Sequence, residues 1–269
     1  GEQLASLRNP PRDFPHRFGA KLGMKSEVFF LSYACWRRDL PDLAQALFDE
    51  AEKVETQRSS GNRGRPLSMR EALERELGHQ AMWDAVLQFG GGQLGSRDWG
   101  GSKPLIPRPE LQANFKRIIR LFPASEHIER AKKTVEILER MVAEDANHRT
   151  VSDAELAKLP VADQVVELIF RLRDQNGHQM SQPGWCDVFD RREGGESPAH
   201  RLLAIGYPAV PALIEALDDQ RFSRSVGFHR DFYFSHSVLT IGDCAQQILN
   251  RITGRQFYAP RSTSGYMSR

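Results

Sequence analysis

The residues best suited to chemistry lie between positions 229 and 243, where two histidines and two aspartates fall among aromatic residues. On a helix, His229 and His236 would be two turns apart, about 10.5 Å along the axis, which is too far for one metal ion. In a loop, the two imidazoles could converge on an ion such as zinc, with an aspartate as a third ligand. The candidate metal ligands are His229, Asp231, His236 and Asp243.

A structural role is the other interpretation of the same stretch. Arg230 and Asp231 would form ion pairs, the aromatic side chains would fill gaps between helices, and His236 would cap or hydrogen-bond within the core. The sequence has no HExxH, GxSxG or EF-hand pattern, and no GxGxxG follows a strand. Because no known spacing of metal ligands occurs, we prefer the structural interpretation and keep the metal site as the alternative.

A second cluster surrounds Cys186 in the long loop 174–196. A thiol with a lowered pKa beside His178 would be a nucleophile, although no flanking signature indicates one. Packing of the loop is the simpler explanation. Long loops in compact domains are often functional, so this loop and the segment 219–238 could share a pocket. Trp185, Phe228, Arg230 and Tyr233 would line it.

Three arginines, Arg221, Arg224 and Arg230, form a third group. They could bind an anion, or they could pair with nearby acids such as Asp218 and Asp219. Arginines and aromatic residues are also typical anchors of protein interfaces. The predicted binding residues are Trp185, Arg224, Phe228, Arg230 and Tyr233.

Composition indicates an ordinary globular protein. Of 269 residues, 40% are hydrophobic and 27% are charged, and the net charge is +2. This balance does not favour nucleic acid or an acidic membrane as a partner. The three scattered cysteines form no CxxC pair and are expected to be buried small residues. No apolar run reaches the roughly 18 residues of a membrane span.

Helical periodicity begins at Ser26 and gives a pair of helices broken at Pro41. The apolar and small residues of this helix pair have the spacing of a tetratricopeptide repeat, and the sequence resembles that family here. LFPASEHIERA, from residue 121 to 131, also looks like a junction between two such repeats. The positions in the first pair are Val28, Leu31, Ser32, Cys35, Ala44, Phe48 and Ala51.

The stretch LLAIGYPAVPALIEAL, from residue 202 to 217, reads as helix, tight turn, helix. Gly206 suits the reversal and Pro211 suits a first helical turn. The pattern resembles a HEAT repeat of the bacterial kind related to phycobilin-lyase subunits. A final helix would carry an apolar stripe from Ile241 and stop at Gly254.

These resemblances imply an all-α fold, an α-solenoid of stacked antiparallel helix pairs forming a right-handed superhelix. No segment alternates convincingly enough to predict a strand. We expect an irregular arm over residues 1–25, a tetratricopeptide-like region over 26–173 and a HEAT-like region with long loops over 174–269.

The function that this architecture favours is a non-enzymatic scaffold or adaptor that binds a protein or peptide partner without a cofactor. The alternative is a metal-dependent hydrolase or lyase-like enzyme that uses the cluster at 229–243. A third interpretation is that the chain is a structural subunit of a larger assembly and docks onto a neighbouring subunit through the arm 1–25. The chain would be soluble, either cytoplasmic or exported after removal of a leader. An enzyme would need polar groups with shifted pKa values converging in a pocket.

Overall fold

The computed structural model describes residues 31–32, 34–35, 38–47, 69–91, 105–179, 185–190, 196–228 and 236–256. Within these ranges the chain is mostly helical and contains one small sheet of two strands. The prediction of a mostly helical chain is confirmed, whereas the sheet was not predicted. In the same ranges, no helix combines the length and the apolar character that a membrane crossing requires.

Described residues 31–32, 34–35 and 41–47 are helical, and from Met69 onward the helices and strands have the following bounds. The helices are α1 (Met69–Leu87), α2 (Arg108–Leu121), α3 (Ile128–Asn147), α4 (Asp153–Leu156), α5 (Val161–Arg171), α6 (Pro198–Ile205), α7 (Val210–Glu215) and α8 (Ile241–Thr253), and the strands are β1 (Phe222–Gly227) and β2 (Ser237–Thr240). Four single 3-10 turns adjoin these helices, at Gln88–Gly90, Leu172–Asp174, Tyr207–Ala209 and Ala216–Asp218.

The chain divides into two compact units. The first comprises Gly1–Gln80 and Leu121–Ile128, and the second comprises Ala81–Arg120 and Glu129–Arg269. In the first unit, helix α1 approaches the turn after α2 very closely. A Cβ atom on Gly78 would lie 2.8 Å from Ser125 Cβ and 3.1 Å from Phe122 Cβ. Glycine is therefore required at this crossing.

In the second unit, α2 and α3 form an antiparallel pair. Arg108 Nη1 lies 2.9 Å from Asp145 Oδ2, and Lys116 Nζ lies 2.9 Å from Glu139 Oε1, so the start of one helix meets the end of the other. Each helix turns an apolar stripe inward. The buried residues are Leu111, Phe115, Ile118, Ala131, Thr134, Val135, Ile137, Leu138 and Met141.

Helices α4 to α8 enclose a hydrophobic core in the second unit, and the turn and the helix ends around it are those that the sequence predicted. Gly206, with φ of +74°, reverses the chain after α6, and Pro211 lies in the first turn of α7. Gly254 ends α8 in the left-handed conformation. The core residues include Leu156, Val165, Leu168, Leu172, Leu202, Leu213, Ile241, Cys244 and Ile248.

The hairpin of β1 and β2 is antiparallel, with Phe222 opposite Thr240 and Gly227 opposite Ser237. β1 and the first two residues of β2 lie within the segment 219–238, for which no strand was predicted from the sequence. β1 also contacts the segment after α5, because Arg224 N donates to Gln175 O at 2.9 Å. The hairpin thus lies against the body of the second unit rather than projecting from it.

A buried arginine organises the centre of this unit. Arg173 is 1% exposed, and its Nη2 donates to Met141 O at 2.6 Å and lies 3.1 Å from Asp145 Oδ1. Its guanidinium also lies 4.5 Å from the centre of the Phe170 ring. Burial of a guanidinium is costly unless acids and carbonyls surround it. These contacts fix the end of α3 beside the 3-10 turn that follows α5.

Replacing Arg173 should therefore be severely destabilising. We expect Arg173→Ala to lower the free energy of unfolding by about 3 kcal/mol, because Met141 O loses its donor, Glu144 and Asp145 lose their cation and a cavity replaces a buried side chain. Arg149→Ala is the control, since Arg149 is 83% exposed and pairs with Glu155 at 3.0 Å, and it should cost about 0.5 kcal/mol or less. Urea unfolding of both variants measures the difference. Equal losses would show that the Arg173 contacts are not stabilising.

Candidate functional site

His236 lies in an aromatic enclosure in the second unit. Its ring centre is 4.5 Å from that of Trp83 and 5.4 Å from that of Phe228, and the residue is 1% exposed. Arg130 Nη2 donates to the His236 carbonyl oxygen at 2.7 Å. Burial, together with the nearby Arg130 charge, lowers the pKa of His236 to about 4. The imidazole is therefore neutral at physiological pH and is used for packing.

Asp243 caps a helix. Its Oδ2 accepts from Thr240 N at 2.8 Å and from Thr240 Oγ1 at 2.9 Å, while Asp243 N donates to Thr240 Oγ1 at 3.1 Å. This is a complete capping box at the start of α8. The other two predicted metal ligands, His229 and Asp231, lie outside the described residues, so the four-residue metal site stays a prediction.

The Cys186 cluster has the opposite electrostatics to those of a catalytic thiol. Cys186 is buried, and desolvation, reinforced by the Asp187 and Asp190 charges, raises its pKa to about 12. His178 Nδ1 lies 3.5 Å from Asp190 Oδ2. A nucleophilic cysteine needs a lowered pKa, so this thiol is suited to packing. All three cysteines are free and buried, as the sequence predicted.

The loop 174–196 and the segment 219–238 do meet, and they do so in direct hydrogen-bonded contact. Gln179 Nε2 donates to Phe228 O at 2.7 Å, and Phe228 N donates to Gln179 Oε1 at 2.9 Å. Ser225 Oγ donates to Gln175 O at 2.9 Å and accepts from Gly177 N at 2.7 Å. These contacts attach the described part of the loop to β1.

The predicted binding residues are placed very differently from one another. Trp185 is 62% exposed, as an interface anchor would be. Arg224 is 5% exposed, so it does not present its charge to a partner, and the same burial lowers its pKa to about 10. Phe228 is half-buried against His236. Arg230 and Tyr233 lie outside the described residues.

Arg221, from the same arginine group, pairs with acids rather than presenting an anion site. Its Nε lies 3.0 Å from both carboxylate oxygens of Asp219, and its Nη1 lies 2.9 Å from Glu144 Oε2. The sequence analysis had named Asp219 as one such acid. Glu144 lies near the end of α3, far from Arg221 in the sequence, so no local pattern predicts this contact.

A cleft of about 200 Å³ opens in the second unit, between the end of α1, helices α2 and α3, and the hairpin. Its floor is apolar and includes Phe89 and Phe115, which are fully buried. Its polar side includes Arg130, Lys133 and Gln220. The complete lining is Val86, Phe89, Phe115, Arg130, Lys133, Thr134, Ile137, Gln220, Phe222, Ser237, Val238 and Thr240.

The electrostatics of this cleft are positive. Lys133 is exposed at its edge, and Arg130 is held in place by its hydrogen bond to the His236 carbonyl. Ser237 adds a hydroxyl group, whereas the hydroxyl groups of Thr134 and Thr240 donate to Arg130 O and to Asp243 Oδ2. The described lining includes no aspartate, glutamate, histidine or cysteine. The arrangement favours an anionic group with an apolar neighbour, and it offers no group for proton transfer or nucleophilic attack at neutral pH.

A separate cluster in the first unit brings together His79, Glu126 and His127. His79 Nδ1 lies 3.0 Å from His127 Nε2, and Glu126 Oε1 lies 3.6 Å from each of these nitrogens. A hydrogen bond from Arg75 is the main cause that lowers the pKa of Glu126. The sequence analysis treated residues 121–131 only as a helix junction, because His79 is distant in the sequence and no spacing connects it to Glu126.

Comparisons of the chain with protein-family models, with curated proteins and with solved structures gave no match. The resemblances to tetratricopeptide and HEAT repeats therefore stay predictions.

The His236 enclosure predicts a specific pH dependence of stability. An unfolded histidine has a pKa near 6.5, so the unfolded state binds more protons than the folded state between that value and about 4. Stability is therefore present above pH 6.5 and is lost as the pH falls toward 4, by roughly 3 kcal/mol from this residue alone.

His236→Phe should remove that contribution, because a phenyl ring keeps the aromatic packing and does not titrate. We expect the loss of stability between pH 7 and pH 4.5 to be smaller in this variant than in the wild type. Urea unfolding at both pH values measures it. Equal losses in the two proteins would contradict the assignment of a buried neutral imidazole.

Proposed function

We propose that this protein is a non-enzymatic binding module that receives an acidic segment of a protein or peptide partner in the cleft of the second unit. The observation that carries the proposal is the combination of an apolar floor with a positively charged edge. An acidic side chain would accept hydrogen bonds from Lys133 and Arg130, while its apolar neighbour packs toward Phe89 and Phe222.

The size of the cleft favours a side chain over a whole small molecule. Pockets that hold drug-sized ligands or cofactors usually measure about 300–1,000 Å³, and this one measures about 200 Å³. A volume of this size suits one or two amino-acid side chains of a longer partner. The rest of the partner would then lie on the surrounding surface.

The chemistry of the lining favours binding over catalysis. The residues that most often act as general acids or bases are histidine and carboxylates, and the described lining contains neither. His236 contacts Arg130 through its carbonyl oxygen, but its ring lies between Trp83 and Phe228. The two positive side chains instead provide attraction and orientation, which are what a binding site requires.

The solenoid arrangement and the repeat resemblances belong to this proposal. The antiparallel α2–α3 pair, and the tight reversal at Gly206 between α6 and α7, are the kind of helix pairs from which such arrays are built. A partner-binding role is the common use of these architectures, although a fold does not fix a function.

A charge reversal at Lys133 tests the proposal. We expect Lys133→Glu to weaken binding of an acidic peptide about tenfold at low salt, since an attraction at the edge of the cleft becomes a repulsion. The effect should shrink as salt is added, because Lys133 is exposed. Lys132→Glu is the matched control: Lys132 is the adjacent residue, is outside the lining and pairs with Glu129 at 2.8 Å.

The probe is a displayed library of random peptides, selected for binding to the wild-type chain of 269 residues. Enrichment of Asp or Glu beside apolar residues, together with affinities that fall in Lys133→Glu and persist in Lys132→Glu, would agree with the proposal. Peptides without acidic residues, or an equal loss in both variants, would place binding elsewhere.

A further inference from the structure

Three side chains with metal-binding atoms converge in the first unit. His79 is on α1, whereas Glu126 and His127 belong to the turn that precedes α3. Both histidines are half-buried and Glu126 is exposed. Imidazole nitrogen and carboxylate oxygen are ligands that zinc accepts, and two histidines with one carboxylate is an established donor set for it.

The distances among the three donor atoms match those around a tetrahedral ion. The two nitrogens are 3.0 Å apart, and each is 3.6 Å from Glu126 Oε1. Ligands bound at about 2.0–2.1 Å to a tetrahedral zinc ion are separated by about 3.3–3.4 Å. One separation is shorter than this value and two are longer. Small side-chain movements would therefore suffice to centre an ion among the three donor atoms.

From this geometry we propose that His79, Glu126 and His127 form a binding site for a divalent transition-metal ion, with zinc as the preferred ion. The ion replaces the proton that the two facing ring nitrogens share. Three protein ligands leave a fourth position for water or for a group from a partner. Bound metal would fasten α1 to the turn before α3 and thereby stabilise the first unit.

Two neighbouring features position the ligands. Arg75 Nη2 donates to Glu126 Oε2 at 2.8 Å, which directs Oε1 toward the two rings. Outer contacts of this type orient metal ligands and tune their affinity. Gly78, adjacent to His79, permits the close crossing of α1 over Ser125, and Ser125 Oγ accepts from His127 N at 3.3 Å.

The test uses the tag-free chain of 269 residues, freed of metal by a chelator and then titrated with zinc. We expect one zinc ion per chain by elemental mass spectrometry after dialysis, together with a rise in the melting temperature on adding zinc. Titration with Co²⁺ should give the intense visible absorption of a tetrahedral nitrogen and oxygen site.

His79→Ala and His127→Ala should each abolish the bound zinc, the Co²⁺ signal and the rise in melting temperature. Glu126→Gln keeps the shape of the side chain and should weaken binding while the fold is retained. Arg75→Met should weaken it by about 10- to 100-fold, as expected for an orienting contact. These last two variants keep the test valid if a histidine variant fails to fold.

His148→Ala is the control. His148 pairs with a single carboxylate, at 3.0 Å from Glu167 Oε2, and stacks on Phe170, so it resembles half of the proposed site. The His148→Ala variant should bind zinc as the wild type does. Absence of stoichiometric zinc in the wild type, or zinc retained by both Glu126→Gln and His79→Ala, would overturn the proposal and leave a hydrogen-bonded histidine pair.

Discussion

The second unit depends on neutralising a buried guanidinium. Arg173 is shielded from water and depends on groups of the last turns of α3. Its Nη2 donates to Met141 O and lies 3.1 Å from Asp145 Oδ1, and its Nη1 forms an ion pair with Glu144 Oε2 at 3.3 Å. Arg108 shares Asp145 from the start of α2 and also donates to the Arg173 carbonyl at 2.9 Å. One set of charges therefore fixes the antiparallel helix pair and the turn after α5.

The same charges hold the hairpin in place. Arg221, next to β1, contacts Glu144 as well as Asp219, so the strand is anchored to the end of α3. Phe222 follows directly, and its ring centre lies 5.3 Å from that of Phe89. Since Phe222 lines the cleft opposite residues of α3, the shape of the binding site follows from where this network places β1.

Features set by local physics were predictable from the sequence. Ser152 and Glu155 form a capping box of the Ser-x-x-Glu type, and Gly206 and Gly254 adopt the positive φ values that a reversal and a helix end require. Such signals involve residues close in sequence. The capping box at Thr240 is equally local, but Asp243 had been considered only as a metal ligand, so this cap was missed.

Features set by contacts between distant segments were not predictable. The strand FSRSVG lacks alternation because Ser223, Arg224 and Ser225 are all buried, and their partners are Leu239, Asp174 and Gln175. The cleft is assembled from four separate elements. The cluster of His79 with His127 joins residues 48 positions apart, which no motif spacing describes.

The central claim is that the cleft of the second unit binds an acidic group, and chemical-shift mapping tests it most directly. Amide spectra of the isotope-labelled chain would be recorded with a blocked peptide of leucine, glutamate and leucine, and with its glutamine counterpart. The account predicts shifts concentrated at Lys133, Thr134, Phe222 and Val238 for the glutamate peptide and much smaller ones for glutamine. Equal shifts with both peptides, or shifts centred on other surfaces, would contradict it.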